Sequence, residues 1–327
     1  MDSVDIPLSW EKAADKIASR SCRRILVIGA TDRGKSSFCK FISRRLMSAG
    51  HKVAVVDGDI GQKDIGPPAT ITLGYPVAAA DTLQVKPAAL YFVGTVSPVG
   101  HFIPMIVGTR RLMEEARSDF VIINTTGFIH GGGRDLKGYL IELVQPATIV
   151  AIEKQGELQA ILKAYRGYSI IRISPSVKAA AKSPVQRKRN RELAWQAYFA
   201  DARESELDVS RLTFQRTLLF SGQRVQDDRF LYAERTSEGL IAVSANAALS
   251  EHGLTLLHAG FEQNLVCGLA DRRNHVLGLG IIRKLDFATA KIALWTPVLA
   301  AKIHVIQFGN IYVSPDGHEL NHKWARR

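Results

Sequence analysis

Short apolar runs alternate with segments of helical period through the first half of the chain. The apolar runs predict buried strands at residues 24–28, 53–57, 90–94, 120–124, 148–152 and 168–173. Apolar residues at three- and four-residue spacing predict helices between them, one ending at Gly50 and others over residues 102–117, over residues 135–144 and up to about residue 165. This alternation predicts an α/β fold with a doubly wound, mostly parallel sheet.

The pattern changes after that sheet. Residues 178–203 are basic and helix-prone, and from residue 205 onward the apolar runs are short and separated by Gly, Asn, Asp and Pro. These runs predict strands at residues 214–220, 239–243, 265–269, 276–282, 290–295 and 303–307. The second half therefore favours an all-β domain, either a small barrel or a sandwich.

The predicted organisation has three parts. Residues 1–22 form a lead-in helix in which Trp10, Ala13 and Ile17 lie at near-helical spacing. Residues 23–204 form the α/β domain, with a helical lid at residues 178–203, and residues 205–327 form the C-terminal β domain. Within the α/β domain, a linker is expected between Leu73 and the strand at residues 90–94.

The charge balance bears on the partner. The 43 Lys and Arg residues exceed the 31 Asp and Glu residues by a formal charge of +12. This excess favours an anionic partner, with nucleic acid the first candidate, over a basic but inert surface. The N-terminus lacks a signal-peptide pattern and no apolar run approaches the length of a membrane span. We therefore expect a soluble intracellular protein, cytoplasmic or, in a eukaryote, nuclear.

Residues 29–36, called the phosphate loop below, match the pattern G-x-x-x-x-G-K-[ST] between a predicted strand and a predicted helix. In this context backbone N–H groups surround a phosphate, Lys35 reaches the β- and γ-phosphates, and the Ser36 hydroxyl is a ligand of Mg²⁺. The alternative is a chance glycine turn beside a lysine. The motif predicts a nucleoside triphosphate site and the fold of a P-loop NTPase. The residues expected to bind the nucleotide are Gly29, Thr31, Asp32, Arg33, Gly34, Lys35, Ser36 and Ser37.

Two carboxylates follow the second predicted strand, in Asp57-Gly-Asp-Ile-Gly-Gln62. The carboxyl ends of neighbouring parallel strands face the same crevice, so Asp57 and Asp59 are expected near the triphosphate. One carboxylate is enough for Mg²⁺, and a second two residues later suggests a catalytic base for a substrate hydroxyl. Asp57 is assigned to the metal and Asp59 to the base. In the alternative, one aspartate only caps the turn that follows.

Two polar loops at later strand ends are candidate substrate contacts. The first contains Thr95, Ser97 and His101, and the second contains Thr126, Gly127 and Phe128, called the clasp below. The Phe128 ring offers a face on which a nucleobase can stack, or it folds back into the core. From the loop alone, the core position is favoured. The loop after residues 148–152 lacks Asn-Lys-x-Asp, the pattern of guanine-specific GTPases.

The basic segment contains Arg187, Arg189 and Arg191. Arg187 and Arg191 are four residues apart and share a helix face, whereas Arg189 points elsewhere. The segment is interpreted as a lid that brings arginines to the transferred phosphoryl group. The alternatives are a solvated basic face and an import-signal-like run.

In their order, residues 29–36, 57–62, 91–98 and 126–128 resemble the motifs of the polynucleotide 5′-hydroxyl kinases of RNA processing. That family includes the kinase subunit of pre-mRNA cleavage and tRNA-splicing complexes, the ribosomal-RNA-processing kinase and archaeal relatives. The resemblance covers about residues 23–203 and extends more weakly into the β domain. It implies transfer of the γ-phosphoryl group of ATP, with Mg²⁺, to a 5′-hydroxyl end of single-stranded RNA or DNA.

By the same resemblance, Lys35 and Ser36 hold phosphate and Mg²⁺, and Asp59 is the general base. Phe128 corresponds to an aromatic residue, commonly Trp, that stacks on a nucleobase, so stacking becomes the favoured role of Phe128. The lid arginines are expected among Arg187, Arg189 and Arg191, with Arg187 and Arg191 catalytic and Arg189 in substrate binding. The expected substrate contacts are Gln62, Thr95, Ser97, His101, Thr126, Gly127, Phe128 and Arg189.

The chain departs from the family pattern in two respects. Phe replaces Trp in the clasp, and about twenty residues precede the first strand, where eukaryotic members have a large β domain. A compact, stand-alone kinase of prokaryotic type is therefore expected. Two other functions remain open: a catalytically weak ATP-binding scaffold of an RNA-processing complex, and a kinase of a small metabolite or nucleoside.

Overall fold

The computed structural model describes residues 6–19, 23–79, 82–245 and 251–321. The chain folds into two compact units, Met1–Arg191 and Glu192–Arg327. The division lies within the helix Pro184–Phe199, whereas the sequence pattern led us to expect a boundary near residue 205. Each unit has its own buried core.

The first unit is built on a mixed sheet. Its strands are β1 (Arg24–Gly29), β2 (Val53–Gly58), β3 (Thr70–Ala79), β4 (Thr82–Phe92), β5 (Phe120–Thr125), β6 (Thr148–Ile152) and β7 (Ile170–Ile173). Strands β2, β5, β1, β6 and β7 are parallel neighbours in that order. Strands β3 and β4 continue the sheet beyond β2 in antiparallel pairing. The predicted α/β fold with a mostly parallel sheet is confirmed.

Helices cover both faces of this sheet. They are α1 (Leu8–Ala18), α2 (Lys35–Ser48), α3 (Phe102–Glu115), α4 (Gly132–Val144) and α5 (Gln159–Leu162), with a 3₁₀ turn at Lys163–Tyr165. A further helix, α6 (Pro184–Phe199), follows β7 and contains the division between the two units. Successive residues of β1 enter opposite cores, because side chains alternate along a strand. Leu26 and Ile28 lie in one core, and Ile25 and Val27 lie in the other together with Phe38 of α2.

The predicted lead-in helix is present as α1, although residues 1–5 and 20–22 of the prediction lie outside the described residues. Trp10 is fully buried and its ring meets that of Phe38 edge-on at 5.3 Å. Its Nε1 donates a hydrogen bond to the Ser174 carbonyl at 2.9 Å. Gly50 follows α2 with φ of +85°, as expected of a glycine that ends a helix.

The prediction of a linker between Leu73 and residue 90 is wrong, because this segment forms the β3–β4 hairpin. Gly74 and the nearby prolines suggested a loop. In the structure, Gly74 lies at a register shift between the two strands, where an irregularity is tolerated. Pro76 lies beyond the Thr72–Gly74 segment that pairs with β2, so its missing N–H removes no bond to that strand.

The second unit contains two sheets. Its strands are β8 (Arg203–Asp208), β9 (Thr213–Gln215), β10 (Gln223–Arg224), β11 (Tyr232–Thr236), β12 (Gly239–Ser244), β13 (Leu254–His258), β14 (Leu265–Ala270), β15 (Val276–Asp286), β16 (Lys291–Thr296), β17 (Val305–Val313) and β18 (Glu319–Leu320), with 3₁₀ turns at Val209–Arg211 and Ala300–Lys302. One sheet has the order β18-β17-β14-β15-β16-β8, with β9 also on β17, and the other has the order β10-β11-β12-β13. Phe220, Phe261 and Phe287 contact the apolar clusters of both sheets. Of the two predicted forms, this arrangement corresponds to a sandwich.

Two boundaries in this region were predicted wrongly. The strand expected at residues 214–220 ends at Gln215, because Arg216 and Phe220 both adopt positive φ angles, of 60° and 65°. The lid helix expected over residues 178–203 is shorter, since α6 covers Pro184–Phe199 and Arg203 already belongs to β8. Among the described residues, no helix combines the length and apolar composition that crossing a membrane requires.

Candidate active site

The phosphate loop connects β1 to α2 through two left-handed residues, Asp32 with φ of 59° and Gly34 with φ of 84°. Gly29 leaves no room for a side chain, because a Cβ there would lie 2.6 Å from the Ile152 carbonyl oxygen. Gly34 precedes the first residue of α2 and has no side chain with which to cap the helix. The N–H groups of the first turn, including that of the exposed Ser37, are therefore available to an anion.

Lys35 lies inside the loop rather than in solvent. Its side chain is 6% exposed, and Nζ donates a hydrogen bond to the Ala30 carbonyl at 2.8 Å. Burial lowers the pKa of Lys35, while the carboxylates of Asp59, Asp32 and Asp57 act in the opposite direction. The ammonium group is thus held across the loop by a backbone carbonyl of the loop itself.

The side chains of Asp32 and Arg33 hold the loop to neighbouring segments. Arg33 forms a bidentate ion pair with Glu157, at 2.7 and 2.8 Å. Asp32 Oδ2 accepts hydrogen bonds from the Lys182 backbone N–H at 3.0 Å and from Arg187 Nη2 at 2.6 Å. These two residues, expected to bind nucleotide, therefore brace the loop against the segment after β6 and against the lid. Glu157 was not predicted, and its position after β6 was the only available signal.

Oxygen and nitrogen donors converge beside Ser36. Asn124, at the end of β5 and 2% exposed, donates from Nδ2 to Ser36 Oγ at 3.3 Å and to Asp57 Oδ1 at 3.0 Å. The amide orientation follows from this contact, because a carboxylate only accepts hydrogen bonds. Asn124 Oδ1 is buried and has no hydrogen-bond partner among the described residues. A hydroxyl, an amide oxygen and a carboxylate are the donors that Mg²⁺ prefers, so this corner fits the ion. Sequence reasoning missed Asn124.

Asp57 is surrounded by donors of its own chain. Its Oδ1 also accepts from the Asp59 N–H, at 3.2 Å, and its Oδ2 accepts from the N–H groups of Asp64 and Ile65, at 3.2 and 3.3 Å. Lys63 Nζ lies 3.1 Å from the same Oδ2, and both side chains are 1% exposed. Asp57 thus organises the turn that follows β2 and forms a buried ion pair that the sequence did not reveal.

The Asp59 carboxylate accepts fewer hydrogen bonds than the Asp57 carboxylate. Oδ1 accepts hydrogen bonds from the N–H groups of Gly61 and Gln62, at 3.1 and 3.0 Å, while Oδ2 has no hydrogen-bond partner among the described residues. Burial raises the pKa of Asp59; the Lys35 ammonium opposes this shift and the Asp57 carboxylate adds to it. A carboxylate with one free oxygen and a raised pKa has the properties of a general base.

The turn that carries Asp59 contacts the loop after β4 and the lid. A Cβ on Gly61 would lie 2.8 Å from the Val96 carbonyl oxygen, so the two backbones touch there. Gln62 Nε2 donates to the Arg187 carbonyl at 3.3 Å. The structure therefore brings together the Asp59 turn, the Thr95–Ser97 region and the base of the lid.

Within the loop after β4, the side chains bond mainly to their own segment. Thr95 Oγ1 accepts from the Ser97 N–H at 3.2 Å, and His101 Nδ1 lies 2.9 Å from the Val99 carbonyl oxygen at the start of α3. Ser97 is exposed and Thr95 is buried. These contacts shape the loop, and a role for the three side chains in substrate binding stays a prediction.

The clasp packs directly on the phosphate loop. A Cβ on Gly127 would lie 2.3 Å from Thr31 Oγ1 and 2.5 Å from the Thr31 backbone nitrogen. Phe128 is half-buried, and its ring centroid lies 6.3 Å from that of Phe102, with the planes inclined at 40°. Phe102 thus supports one side of the Phe128 ring, while part of the ring is exposed. Beneath the clasp, Lys137 Nζ donates to the Thr126 carbonyl at 2.8 Å, a contact that sequence reasoning also missed.

The predicted lid arginines differ in their surroundings. Arg187 is turned toward the phosphate loop by its ion pair with Asp32, and its Nε is buried without a hydrogen-bond partner among the described residues. Arg189 is exposed and Arg191 is half-buried. Arg187 therefore contacts the phosphate loop through Asp32.

The chain is similar in sequence to proteins of one family. The family model described as mRNA cleavage and polyadenylation factor CLP1 P-loop matches residues 29–201. A polyribonucleotide 5′-hydroxyl-kinase of Pyrococcus furiosus is 34% identical over 97% of this chain and 96% of its own length. A polyribonucleotide 5′-hydroxyl-kinase of Methanocaldococcus jannaschii is 32% identical over 91% of this chain and 89% of its own length.

A solved structure provides a comparison of the fold. A chain in the wild-type Clp1p–Pcf11p complex aligns with a TM-score of 0.60 over 91% of this chain and 76% of that chain. The two sequences are 14% identical, so this likeness concerns the fold alone.

Proposed function

Because this chain belongs to the CLP1 P-loop family, we propose that it is an ATP-dependent polynucleotide 5′-hydroxyl kinase. The observation that carries the proposal is the position of Asp59. The Asp59 carboxylate has one oxygen without a hydrogen-bond partner among the described residues and interacts electrostatically with the Lys35 ammonium. The turn that carries Asp59 contacts both the loop after β4 and the lid. A base next to a phosphate loop suits a reaction in which a hydroxyl group attacks a phosphoryl group.

The proposed reaction balances as follows. The 5′-oxygen of the acceptor forms a bond to the γ-phosphorus, and the bond from that phosphorus to the β,γ-bridging oxygen breaks, which releases ADP. Asp59 Oδ2 accepts the proton of the attacking hydroxyl. The Lys35 ammonium, now held by the Ala30 carbonyl, moves to the phosphates and offsets their negative charge.

Mg²⁺ is proposed to bind at Ser36, with Asp57 acting from the second layer through Asn124. When bound, the ion would neutralise charge on the phosphate oxygens. The chain's own residues fix the site, because Asn124 holds the Ser36 hydroxyl and Asp57 holds Asn124. Lys63 in turn keeps the Asp57 carboxylate in place through their buried ion pair.

The acceptor is proposed to stack its terminal base on Phe128, at a typical gain of about 1–3 kcal/mol per base. Thr126 and Gly127 fix the ring relative to the phosphate loop. Arg187 and Arg191 of the lid would stabilise the charge of the transferring group, and Arg189 would contact the acceptor backbone. Single-stranded RNA and DNA both offer the base, the phosphates and the 5′-hydroxyl that these contacts require.

The test is transfer of labelled γ-phosphate from ATP to matched RNA and DNA oligomers with 5′-hydroxyl ends. We expect a labelled 5′ end on at least one polymer, and none with oligomers that already carry a 5′-phosphate. Lys35→Ala is the control and should abolish transfer with the fold intact, as judged by thermal unfolding. Labelling of free nucleosides but not of oligomers would instead indicate a nucleoside kinase. ATP binding without transfer to any hydroxyl would indicate a scaffold.

A further inference from the structure

Lys137 is a buried lysine for which neither the phosphate loop nor the metal site accounts. It lies in α4 and its side chain is fully shielded from solvent, with 0% exposure. An ammonium group has three N–H donors, and among the described residues only the Thr126 carbonyl, 2.8 Å away, accepts from it. No carboxylate of the described residues forms an ion pair with it.

The burial of this ammonium group has a free-energy cost. A charge removed from water without an ionic partner loses several kcal/mol of solvation. The charged groups that face Lys137 are Lys35 of α2, which repels its charge, and Asp59 of the turn after β2, which attracts it. Burial, together with Lys35, lowers the pKa of Lys137 to about 7. The ammonium form is therefore present below about pH 7 and lost above it.

The contact that Lys137 makes is at the root of the clasp. Thr126 immediately precedes Gly127, whose backbone lies against Thr31, and Phe128, whose ring is partly exposed. An ammonium donor binds a carbonyl more strongly than a neutral donor does. The charge of Lys137 therefore fixes the backbone that carries the Phe128 ring, while its Nζ is shielded from solvent.

We propose that Lys137 is a positioning residue of the acceptor site, which holds the clasp carbonyl so that the Phe128 ring is presented to the terminal nucleobase. This inference rests on the proposed function, in which Phe128 stacks on the acceptor. In this proposal, the clasp determines how the acceptor binds and the phosphate loop determines how ATP binds. Removal of the ammonium group should weaken acceptor binding and leave ATP binding unchanged.

The experiment compares the wild type with Lys137→Met, which keeps the length of the side chain and removes the charge. The readouts are the separate KM values for a 5′-hydroxyl oligomer and for ATP, measured between pH 6 and 8.5. We expect the acceptor KM of Lys137→Met to rise on the order of 10-fold, the loss expected for one charge-assisted hydrogen bond, with the ATP KM unchanged. Lys163→Met is the matched control, because Lys163 is an exposed lysine of the same unit, and it should leave both values unchanged.

The pH profile supplies a second readout that does not depend on the stability of the variant. In the wild type, the acceptor KM should rise as the pH passes upward through about 7, and this rise should be absent from Lys137→Met. A wild-type acceptor KM that is flat over this range would overturn the inference even if the variant failed to fold. So would a variant with normal acceptor KM, or one that loses acceptor and ATP affinity equally, which indicates a general structural role. A wild type that phosphorylates no polynucleotide would refute the proposed function itself, and this inference with it.

Discussion

At the scale of single residues, Asp57 and Asp59 show how two carboxylates of one turn acquire different roles. Asp57 accepts hydrogen bonds at both oxygens and is neutralised by Lys63, whereas Asp59 keeps one oxygen free. Asp59→Asn keeps the shape but cannot accept a proton, so kcat should fall by about 10²- to 10⁴-fold while ATP binding persists. Because the pKa of Asp59 is raised, wild-type kcat should increase with pH above the usual range of a carboxylate, and Asp59→Asn should lack this limb.

Asp57→Asn provides the contrasting variant. It leaves the Lys63 ammonium buried without its counter-charge, a change that typically costs about 3–5 kcal/mol in the free energy of unfolding. We also expect a higher Mg²⁺ requirement, because the restraint on Asn124 and Ser36 is lost. Asp57→Asn combined with Lys63→Met should recover stability and keep the raised Mg²⁺ requirement. If added Mg²⁺ instead rescued Asp59→Asn and not Asp57→Asn, the two roles would have to be exchanged.

Glu262 of the second unit provides a test of stability that is independent of catalysis. It is 5% exposed, Oε1 accepts from the Leu285 N–H at 3.3 Å, and Oε2 has no partner among the described residues. Burial raises the pKa of Glu262, so the ionised form is penalised in the folded state. The penalty is absent below the pKa of the unfolded chain and develops as the pH rises through the folded pKa.

Glu262→Gln should therefore stabilise the second unit at pH 7 by about 1 kcal/mol, and the gain should shrink toward pH 4. Thermal and denaturant unfolding of the variant at both pH values provide the measurement. Glu238→Gln, a change at an exposed glutamate of the same unit, is the control and should have little effect at either pH. A destabilising effect of Glu262→Gln at pH 7 would contradict the argument from burial.

The residues that could be predicted are those with a local signature. The phosphate loop is contiguous, and Asp57 and Asp59 directly follow an apolar strand, so both were visible in the sequence. Lys63, Asn124 and Lys137 were not, because their importance arises from contacts across separate elements. A lysine within a helix gives no sign in the sequence that it is buried.

At the scale of elements, helix α6, the proposed lid, is attached to the phosphate loop and to the turn after β2. Arg187 contacts Asp32 of the phosphate loop, and its carbonyl accepts from Gln62. Arg187→Ala should lower kcat on the order of 10²- to 10³-fold, as for other donors aimed at developing charge. Lys188→Ala removes a neighbouring exposed charge and should have a smaller, salt-sensitive effect. Equal and small losses from both variants would show that the helix contributes only general attraction.

Strands with uniform burial were easier to predict than strands with irregular composition. Residues 148–152 are uniformly buried, are apolar except for Thr148, and form β6 with the predicted bounds. The β3–β4 hairpin contains Gly74, Pro76 and Pro87, which taken locally indicate a loop. Its pairing with β2 stabilises it as a sheet, and such pairing between distant segments has no signature in either segment alone.

At the scale of the whole molecule, the net positive charge is confined to the first unit. Residues 1–191 carry 28 Lys and Arg against 16 Asp and Glu, a net charge of +12, whereas residues 192–327 carry 15 of each. The proposed attraction to a polynucleotide therefore belongs to the first unit. The balanced charge of the second unit gives no electrostatic support for an RNA-contacting role there.

This distribution predicts different salt effects for two matched variants. Arg189→Gln and Arg272→Gln each remove one exposed arginine, from the first and the second unit respectively. Arg189→Gln should weaken oligomer binding and reduce the slope of log KM against log salt concentration by about 1. Arg272→Gln should change neither quantity. Equal effects of both variants would show that the total charge matters and its location does not.

The backbone contact between the clasp and the phosphate loop fixes the distance between these two segments. Thr31 leaves no space for a methyl group at position 127. The distance between the clasp and the phosphate loop is therefore set by two main chains in direct contact. Side chains can change rotamer, but this interval cannot adjust without displacing one of the two loops. In the proposed reaction, this fixed distance selects acceptors by the separation between the terminal base and the 5′-oxygen, and a chain end that lacks its base should therefore be a poor substrate.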